Sequence, residues 1–190
     1  MNFHFRLKKR KTWQRNSRHR AVRSNTPLHR HLSFEHLEPL EMLNALALTW
    51  TGVHDNNWSY GGNWSGGVAG HEAPQSGDSV TIGSYSNNNI ANLTLAKITM
   101  YGGDIDGNPV KVASNDNVGI EIGGGGSYIY AGLILGTSTV KVQVEAACSL
   151  TMVGVVSDVG YGGQSITKLG TGILTLSGAN SYTGGTIINA

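Results

Sequence analysis

Two aspartates separated by one residue are the first candidates for chemistry in this chain. Asp104 and Asp106 lie in the run Asp-Ile-Asp-Gly-Asn at 104–108, and calcium-binding loops begin with carboxylates at this spacing. The glutamate that closes such a loop with two oxygens is absent. The same pair could supply the acid and the base that cleave a polysaccharide, but no basic residue lies close in sequence to support a lyase. We therefore predict a turn here, with no catalytic residue, no metal site and no cofactor.

A tryptophan-rich stretch is the second candidate. Thr49–Gly67 contains Trp50, and the unit Asn-Trp-Ser occurs around Trp58 and again six residues later around Trp64. Gly and Asn allow tight turns, and Trp rings supply buried area that such a stretch otherwise lacks. We predict that this stretch covers the first layer of a β structure, because stacked repeats need an atypical end layer. The alternative is a carbohydrate contact in which Trp58 and Trp64 stack on sugar rings.

The remaining candidates favour structural roles. Cys148 is the only cysteine, so it forms no internal disulfide and no cysteine-based metal site, and we expect it to be buried. The glycine run Gly123–Gly126 lacks a P-loop lysine and a following helix, which argues against phosphate binding. His54 and His71 are isolated in the sequence, and we interpret them as turn or surface residues rather than metal ligands.

The charged residues are divided unevenly along the chain. Residues 1–31 hold ten of the 14 Lys and Arg and no Asp or Glu, whereas residues 32–190 hold the other four and all 12 Asp and Glu. The acidic body has no basic patch that could follow a phosphate backbone, so we predict no nucleic-acid partner. The basic run Lys8–Lys11 could bind nucleic acid only if the tail were retained. No apolar run reaches the roughly 18 residues of a membrane span, so we predict no transmembrane segment.

The elements that position these residues are short runs with period-two alternation, which recur from Asp78 onward. Gly, Asn, Asp or Ser separates the runs, as is typical of strands joined by turns. Three runs are nearly the same, and the last two of them are 24 residues apart: Leu93-Thr94-Leu95, Leu150-Thr151-Met152 and Leu174-Thr175-Leu176. A solenoid layer takes about 20–25 residues. We predict an all-β parallel solenoid with a narrow apolar column. The alternative is an antiparallel sandwich, which usually shows clearer two-residue hairpin turns.

The last 25 residues, ITKLGTGILTLSGANSYTGGTIINA at 166–190, resemble a known repeat. The repeat is the autotransporter-associated β-strand repeat, also called the passenger-associated transport repeat. The matching positions are Lys168, Gly170, Gly172, Leu174, Leu176, Gly178, Asn180, Tyr182, Gly184, Gly185, Thr186, Ile188 and Asn189. Ile173 stands where the family has Thr. The resemblance implies a right-handed parallel β-helix in an exported surface protein.

The repeat positions have a physical interpretation. We expect Leu174, Leu176 and Ile188 to point into the apolar column and the pair Gly184–Gly185 to form a corner between strands. Asn180 could cap a turn or join an asparagine ladder between layers, and Tyr182 should cover the corner. The residues predicted to be structural in this way are Gly172, Leu174, Leu176, Gly178, Asn180, Tyr182, Gly184, Gly185 and Thr186.

The N-terminal segment has two features of a secretory signal. A basic stretch opens it and the triplet Ala45-Leu46-Ala47 resembles a cleavage site, although three glutamates interrupt the apolar core between them. The run FEHLEPLEMLNALA at 34–47 is similar to the LEPLE leader of many large exported proteins of planctomycete-type bacteria. Met42 stands where that leader usually has Arg. The resemblance implies export, with cleavage near Ala47.

These features divide the chain into a leader at 1–47 that is disordered or cleaved, a Trp-rich cap at 48–78, and β-helix rungs at 79–190 that end in the repeat at 166–190. The predicted function is a secreted or cell-surface module of structural or adhesive type, without enzymatic activity. Its predicted partners are surface polysaccharides or other cell-surface proteins. The alternative function is a polysaccharide-binding or polysaccharide-degrading β-helix.

The family continues with a further strand and further rungs beyond the position at which this chain stops, Ala190. We therefore expect a short, truncated β-helix, either from a truncated reading frame or as a fragment of a longer surface protein. An uncovered last rung presents an open strand edge. We expect edge-to-edge self-association there.

Overall fold

A computed structural model describes residues 45–115 and 117–189. Apart from one short 3₁₀ turn at Gly61–Asn63, the regular structure of this part of the chain consists of strands. They are β1 (Ala47–Trp50), β2 (Trp64–Ser65), β3 (Ser79–Ile82), β4 (Ser86–Asn88), β5 (Thr94–Leu95), β6 (Lys97–Tyr101), β7 (Asp104–Gly107), β8 (Val110–Val112), β9 (Val118–Gly124), β10 (Gly126–Ile129), β11 (Leu133–Leu135), β12 (Thr139–Val144), β13 (Ser149–Met152), β14 (Val156–Ser157), β15 (Ser165–Leu169), β16 (Ile173–Leu176) and β17 (Thr186–Asn189).

Each winding of the chain adds its strands to different sheets, so neighbours within a sheet are not consecutive in sequence. The first sheet has the order β17-β15-β12-β9-β6-β3-β1-β2, the second β16-β13-β10-β7-β4 and the third β14-β11-β8-β5. Among the described strands only β1 and β2 pair antiparallel, and the other strand pairs are parallel. The predicted parallel β-solenoid is therefore confirmed, and the sandwich alternative is excluded.

The apolar column follows from alternation within each strand. In the first sheet Val80, Ile98 and Ile120 are aligned from one layer to the next and are fully buried. On β3 and β6 the residues next to Val80 and Ile98 point outward and are partly exposed. Burying an aliphatic side chain contributes about 1.5–3 kcal/mol relative to leaving it exposed. The core therefore grows by a few such side chains with each layer.

The 24-residue spacing corresponds to one winding of the solenoid. Leu150 on β13 pairs with Leu174 on β16 in the second sheet. The similar run at 93–95 lies in the third sheet instead, where β5 pairs with β8. All three sheets place alternate residues in the column, so a similar run does not reveal which sheet contains it.

Trp50, Trp58 and Trp64 form a cluster at the N-terminal end of the first sheet. Trp64 packs edge to face against Trp50 and Trp58, with ring centroids 5.0 Å and 5.5 Å apart. All three rings are buried. The indole N–H of Trp64 donates a hydrogen bond to the carbonyl of Trp58 at 2.9 Å. The cluster closes this end of the apolar column, as predicted for a cap. No helix long and apolar enough to cross a membrane occurs at 45–115 or 117–189.

Candidate functional site

In the part of the chain that the structure describes, the last strand of the repeat is uncovered on one side. Within the described residues β17 pairs with β15 and has no strand on its other edge. Ile188 is aligned with the inward-facing Lys168 of β15, yet its side chain is 70% exposed. Ile188 therefore has the inward position predicted for it but is exposed within the described residues, because an inward position is buried only when layers lie on both sides. Leu174 and Leu176, one strand earlier, are half-buried and pack against the core.

Lys168 occupies an unexpected position. It is aligned with the buried Val142 of the preceding layer and is 7% exposed. Its ammonium group donates a hydrogen bond to the carbonyl oxygen of Gly170, which provides an acceptor for a buried cation. The period-two alternation of Ile166 and Lys168 in the sequence already placed both residues on the inward face of the strand. We did not infer it, because lysine usually faces solvent.

Glycines of the repeat allow close approach between layers. A Cβ atom on Gly172 would lie 2.2 Å from the carbonyl oxygen of Glu145, and one on Gly178 would lie 2.3 Å from that of Gly154. Real Cβ atoms do not approach backbone so closely. At the corner, Gly185 has a φ of +78°, which favours glycine. A Cβ atom on Gly184 would lie 2.4 Å from the carbonyl oxygen of Gly163.

Asn180 and Tyr182 hold the corner in place. The Asn180 side-chain oxygen accepts a hydrogen bond from the Val156 N–H at 2.8 Å, so the side chain continues the hydrogen bonding of β14. The next residue, Ser181, donates its N–H to the Val156 carbonyl at 2.9 Å. The Tyr182 ring packs against the core, and its hydroxyl lies 2.5 Å from that of Thr186.

Asp158 anchors the same corner and was not identified from the sequence. One carboxylate oxygen accepts hydrogen bonds from the Thr183 hydroxyl at 2.7 Å, the Thr183 N–H at 3.0 Å and the Gln164 N–H at 3.3 Å. The hydrogen bonds from Thr183 hold the pKa of Asp158 below its ordinary value. An aspartate before a glycine-rich stretch often accepts backbone N–H groups in a turn, and this was the signal available in the sequence.

The two candidate aspartates lie on a strand, not in the predicted turn. Asp104 and Asp106 belong to β7, with Ile105 between them in the apolar column. The alternation of polar and apolar residues favoured a strand over the turn suggested by Asp-Gly. Asp106 accepts hydrogen bonds from the Gly107 N–H at 2.7 Å and from the Tyr85 hydroxyl at 3.4 Å. Burial, followed by the charge of Asp106, raises the pKa of Tyr85.

The structure places the remaining candidates as follows. Trp58 and Trp64 are buried, so neither ring has a free face for the sugar contact that was the alternative to a cap. Cys148 is free and buried. The Tyr101 ring lies over Gly123, where a Cβ atom would be 2.6 Å from the ring. No group of three or more His, Cys, Asp or Glu in the described residues could hold a metal ion.

The two histidines differ in their surroundings. His54 is exposed and packs edge to face against Tyr60, with the ring centroids 5.0 Å apart. The Nε2 atom of His71 lies 2.7 Å from a carboxylate oxygen of the fully buried Asp78. Asp78 also accepts the N–H groups of Leu46 and Gln75, each at 2.8 Å. The contact with Leu46 joins residues 32 positions apart in sequence. His71 closes a turn with Val68, in line with its interpretation as a turn residue, but its contact with the buried Asp78 was not predicted.

The comparisons with known proteins concern one part of the chain. Residues 166–190 match the family model described as the passenger-associated transport repeat, which supports the family predicted from these residues. No curated protein and no solved structure matches the chain. The leader at 34–47 lies almost entirely outside the described residues and stays a prediction. The segment that forms β15, β16 and β17 is thus similar to a passenger-associated transport repeat.

Proposed function

We propose that this protein is an exported cell-surface module whose β-solenoid has a structural or adhesive role. The observation that supports this most strongly is the repeat match at 166–190, which coincides with a structural unit of the solenoid, β15 to β17. A repeat named for the transported passenger of an exported protein suggests a surface location. A parallel solenoid suits such a role because it presents long, regular outer faces from a narrow core.

We also propose that the module has no enzymatic activity. A lyase acting on a polysaccharide would need a basic group beside the carboxylates of Asp104 and Asp106. The lysines of the described residues lie elsewhere. Lys97 and Lys141 are on the first sheet, Lys111 is on the third sheet, and Lys168 is inside the column. A reducing-sugar assay on polysaccharides tests this, and activity that disappears in Asp104→Asn would overturn it.

The surface location is tested by peptide mapping of fractions from the cells that produce the protein. We expect peptides from 48–189 in the surface or secreted fraction and no peptides from the first 40 residues there. Detection of the intact N-terminus in the cytoplasm alone would contradict export. A cytoplasmic marker protein measured in the same fractions controls for lysis.

We further propose that the uncovered edge of β17 binds a second copy of this chain. An unpaired strand edge offers a row of backbone donors and acceptors, and Ile187 and Ile188 add exposed apolar surface next to it. Analytical ultracentrifugation should show a concentration-dependent dimer that is lost in Ile188→Lys. Val159→Lys is the matched control, because Val159 is 73% exposed but lies outside the strands. A monomer at all concentrations, or equal effects of both variants, would overturn the proposal.

A further inference from the structure

We propose that the outer face of the second sheet binds a neutral polysaccharide. The residues that form this tyrosine–aspartate face come from three successive layers, β4, β7 and β10, and from the residues that flank them: Tyr85, Asp104, Asp106, Tyr128 and Tyr130. The buried Trp58 and Trp64 are not part of it. This face differs from the uncovered edge of β17, and binding to it needs no particular cellular location.

The tyrosines form a preorganised aromatic surface. On β10 the residues Ser127 and Ile129 point into the column and are buried, so Tyr128 and Tyr130 point outward. Their rings are parallel within 13°, with centroids 5.8 Å apart, and they are 42% and 44% exposed. No hydrogen bond joins either hydroxyl to another described residue. Rings that are already ordered lose little conformational freedom when a ligand packs against them, and their hydroxyls remain available to it.

The aspartates lie directly beside these rings. Tyr128 is aligned with Asp104 on the neighbouring strand, and the Tyr130 N–H donates to the carbonyl of Ile105, between the two aspartates, at 2.8 Å. No donor from the described residues reaches the Asp104 carboxylate. A carboxylate has about four lone-pair sites for hydrogen bonds. Adjacent hydroxyl groups on a sugar ring are suitable donors to such a group.

The charge of the face identifies the kind of polysaccharide. The charged groups of this face are the two carboxylates, and its other members are tyrosines. The lysines of the described residues lie on the other sheets or in the column. An anionic polysaccharide would therefore be repelled at short range. A neutral polysaccharide has hydroxyl donors for the carboxylates and apolar C–H faces for the rings. It fits both components of the tyrosine–aspartate face.

The layer spacing fits a chain-like ligand. Tyr85 immediately precedes β4, and Tyr128 lies on β10, two layers away. Adjacent strands are about 4.7–4.9 Å apart, so two layers span roughly 9–10 Å. This is similar to the length of a disaccharide unit in an extended glycan. A polysaccharide running along the solenoid axis would thus contact Tyr85, the aspartates and the tyrosine pair in turn.

The test is affinity electrophoresis of the full chain in native gels that contain one of three neutral polysaccharides: laminarin, hydroxyethylcellulose or galactomannan. Anionic polysaccharides are avoided because the ten basic residues at 1–31 would attract them. At least one of the three should retard the wild-type protein. The double variant Tyr128→Ala/Tyr130→Ala should bind at least tenfold more weakly. Tyr161→Ala is the matched control, because Tyr161 is 51% exposed and lies outside this face.

Further variants sharpen the test. Tyr128→Phe/Tyr130→Phe retains the rings and should keep part of the affinity, whereas Asp104→Asn/Asp106→Asn should weaken binding through the lost charged acceptors. Circular dichroism melts verify that each variant is folded, which we expect because the side chains are exposed. The proposal is overturned if none of the three polysaccharides retards the protein. It is also overturned if the double alanine variant binds like wild type or if Tyr161→Ala loses as much affinity. None of these outcomes bears on export.

Discussion

The two ends of the solenoid differ in how the apolar column is finished. At the N-terminal end, Trp50, Trp58 and Trp64 pack edge to face over the first layers, and all three rings are buried. At the C-terminal end, β17 follows the same parallel register, but its residues Thr186–Asn189 are all exposed. Within the described residues, the first sheet is therefore closed by aromatic side chains at one end and ends in an exposed strand at the other.

Each end is also fastened by one aspartate, and these aspartates have different partners. Asp78 is fully buried and accepts two backbone N–H groups in addition to its contact with His71. Asp158 accepts three hydrogen bonds from Thr183 and Gln164. Both carboxylates join segments that are distant in sequence. The apolar column thus provides the bulk of the layers, while single polar residues fix the segments that lie across its ends.

The largest predicted effect is the loss of an indole from the closed end. Trp58→Ala should lower the free energy of unfolding by about 3–5 kcal/mol, because a large buried ring leaves a cavity. Ile188→Ala at the open end should change it by less than about 0.5 kcal/mol, since the side chain is mostly exposed. Urea denaturation of both variants provides the measurement. Similar effects of the two substitutions would contradict the proposed difference between the ends.

The second prediction concerns the aspartate of the closed end. Asp78→Asn replaces a buried charged acceptor by an amide that cannot satisfy the N–H groups of Leu46 and Gln75 and also pair with His71. We expect a loss of about 1–3 kcal/mol in the free energy of unfolding. Asp106→Asn is the control, because Asp106 lies on the outer face. If the control were destabilised as strongly, the special role of Asp78 would be refuted.

The third and smallest prediction concerns pH at the open end. The pKa of Asp158 is lowered in the folded state by its hydrogen bonds from Thr183. Its contribution to stability is therefore present above the unfolded pKa of about 4 and is lost as the pH falls through the folded pKa. Asp158→Asn should reduce the dependence of the melting temperature on pH below about 4. An unchanged acid dependence in this variant would argue against the role of Asp158.

The fold was predictable from local pattern, and the contacts between layers were not. Alternation identified the strands, and the spacing of Leu150 and Leu174 matched the register of β13 and β16. The strand at Asp104–Gly107 was misinterpreted because Asp-Gly also favours turns. The partners of Asp78 and Asp158 escaped prediction, since they lie up to 32 residues away in sequence. The tyrosine–aspartate face likewise depends on which strands become neighbours, which the sequence pattern alone does not specify.

Hydrogen exchange of the backbone amides, measured on dilute monomeric protein, tests the difference between the two ends most directly. Local opening is expected where few buried contacts hold a segment. We expect amides of β1 and β12 to exchange only through global unfolding, whereas those of β17 exchange much faster. Protection of β17 equal to that of β12 in the monomer, or rapid exchange throughout β1, would contradict the difference between the two ends of the described solenoid.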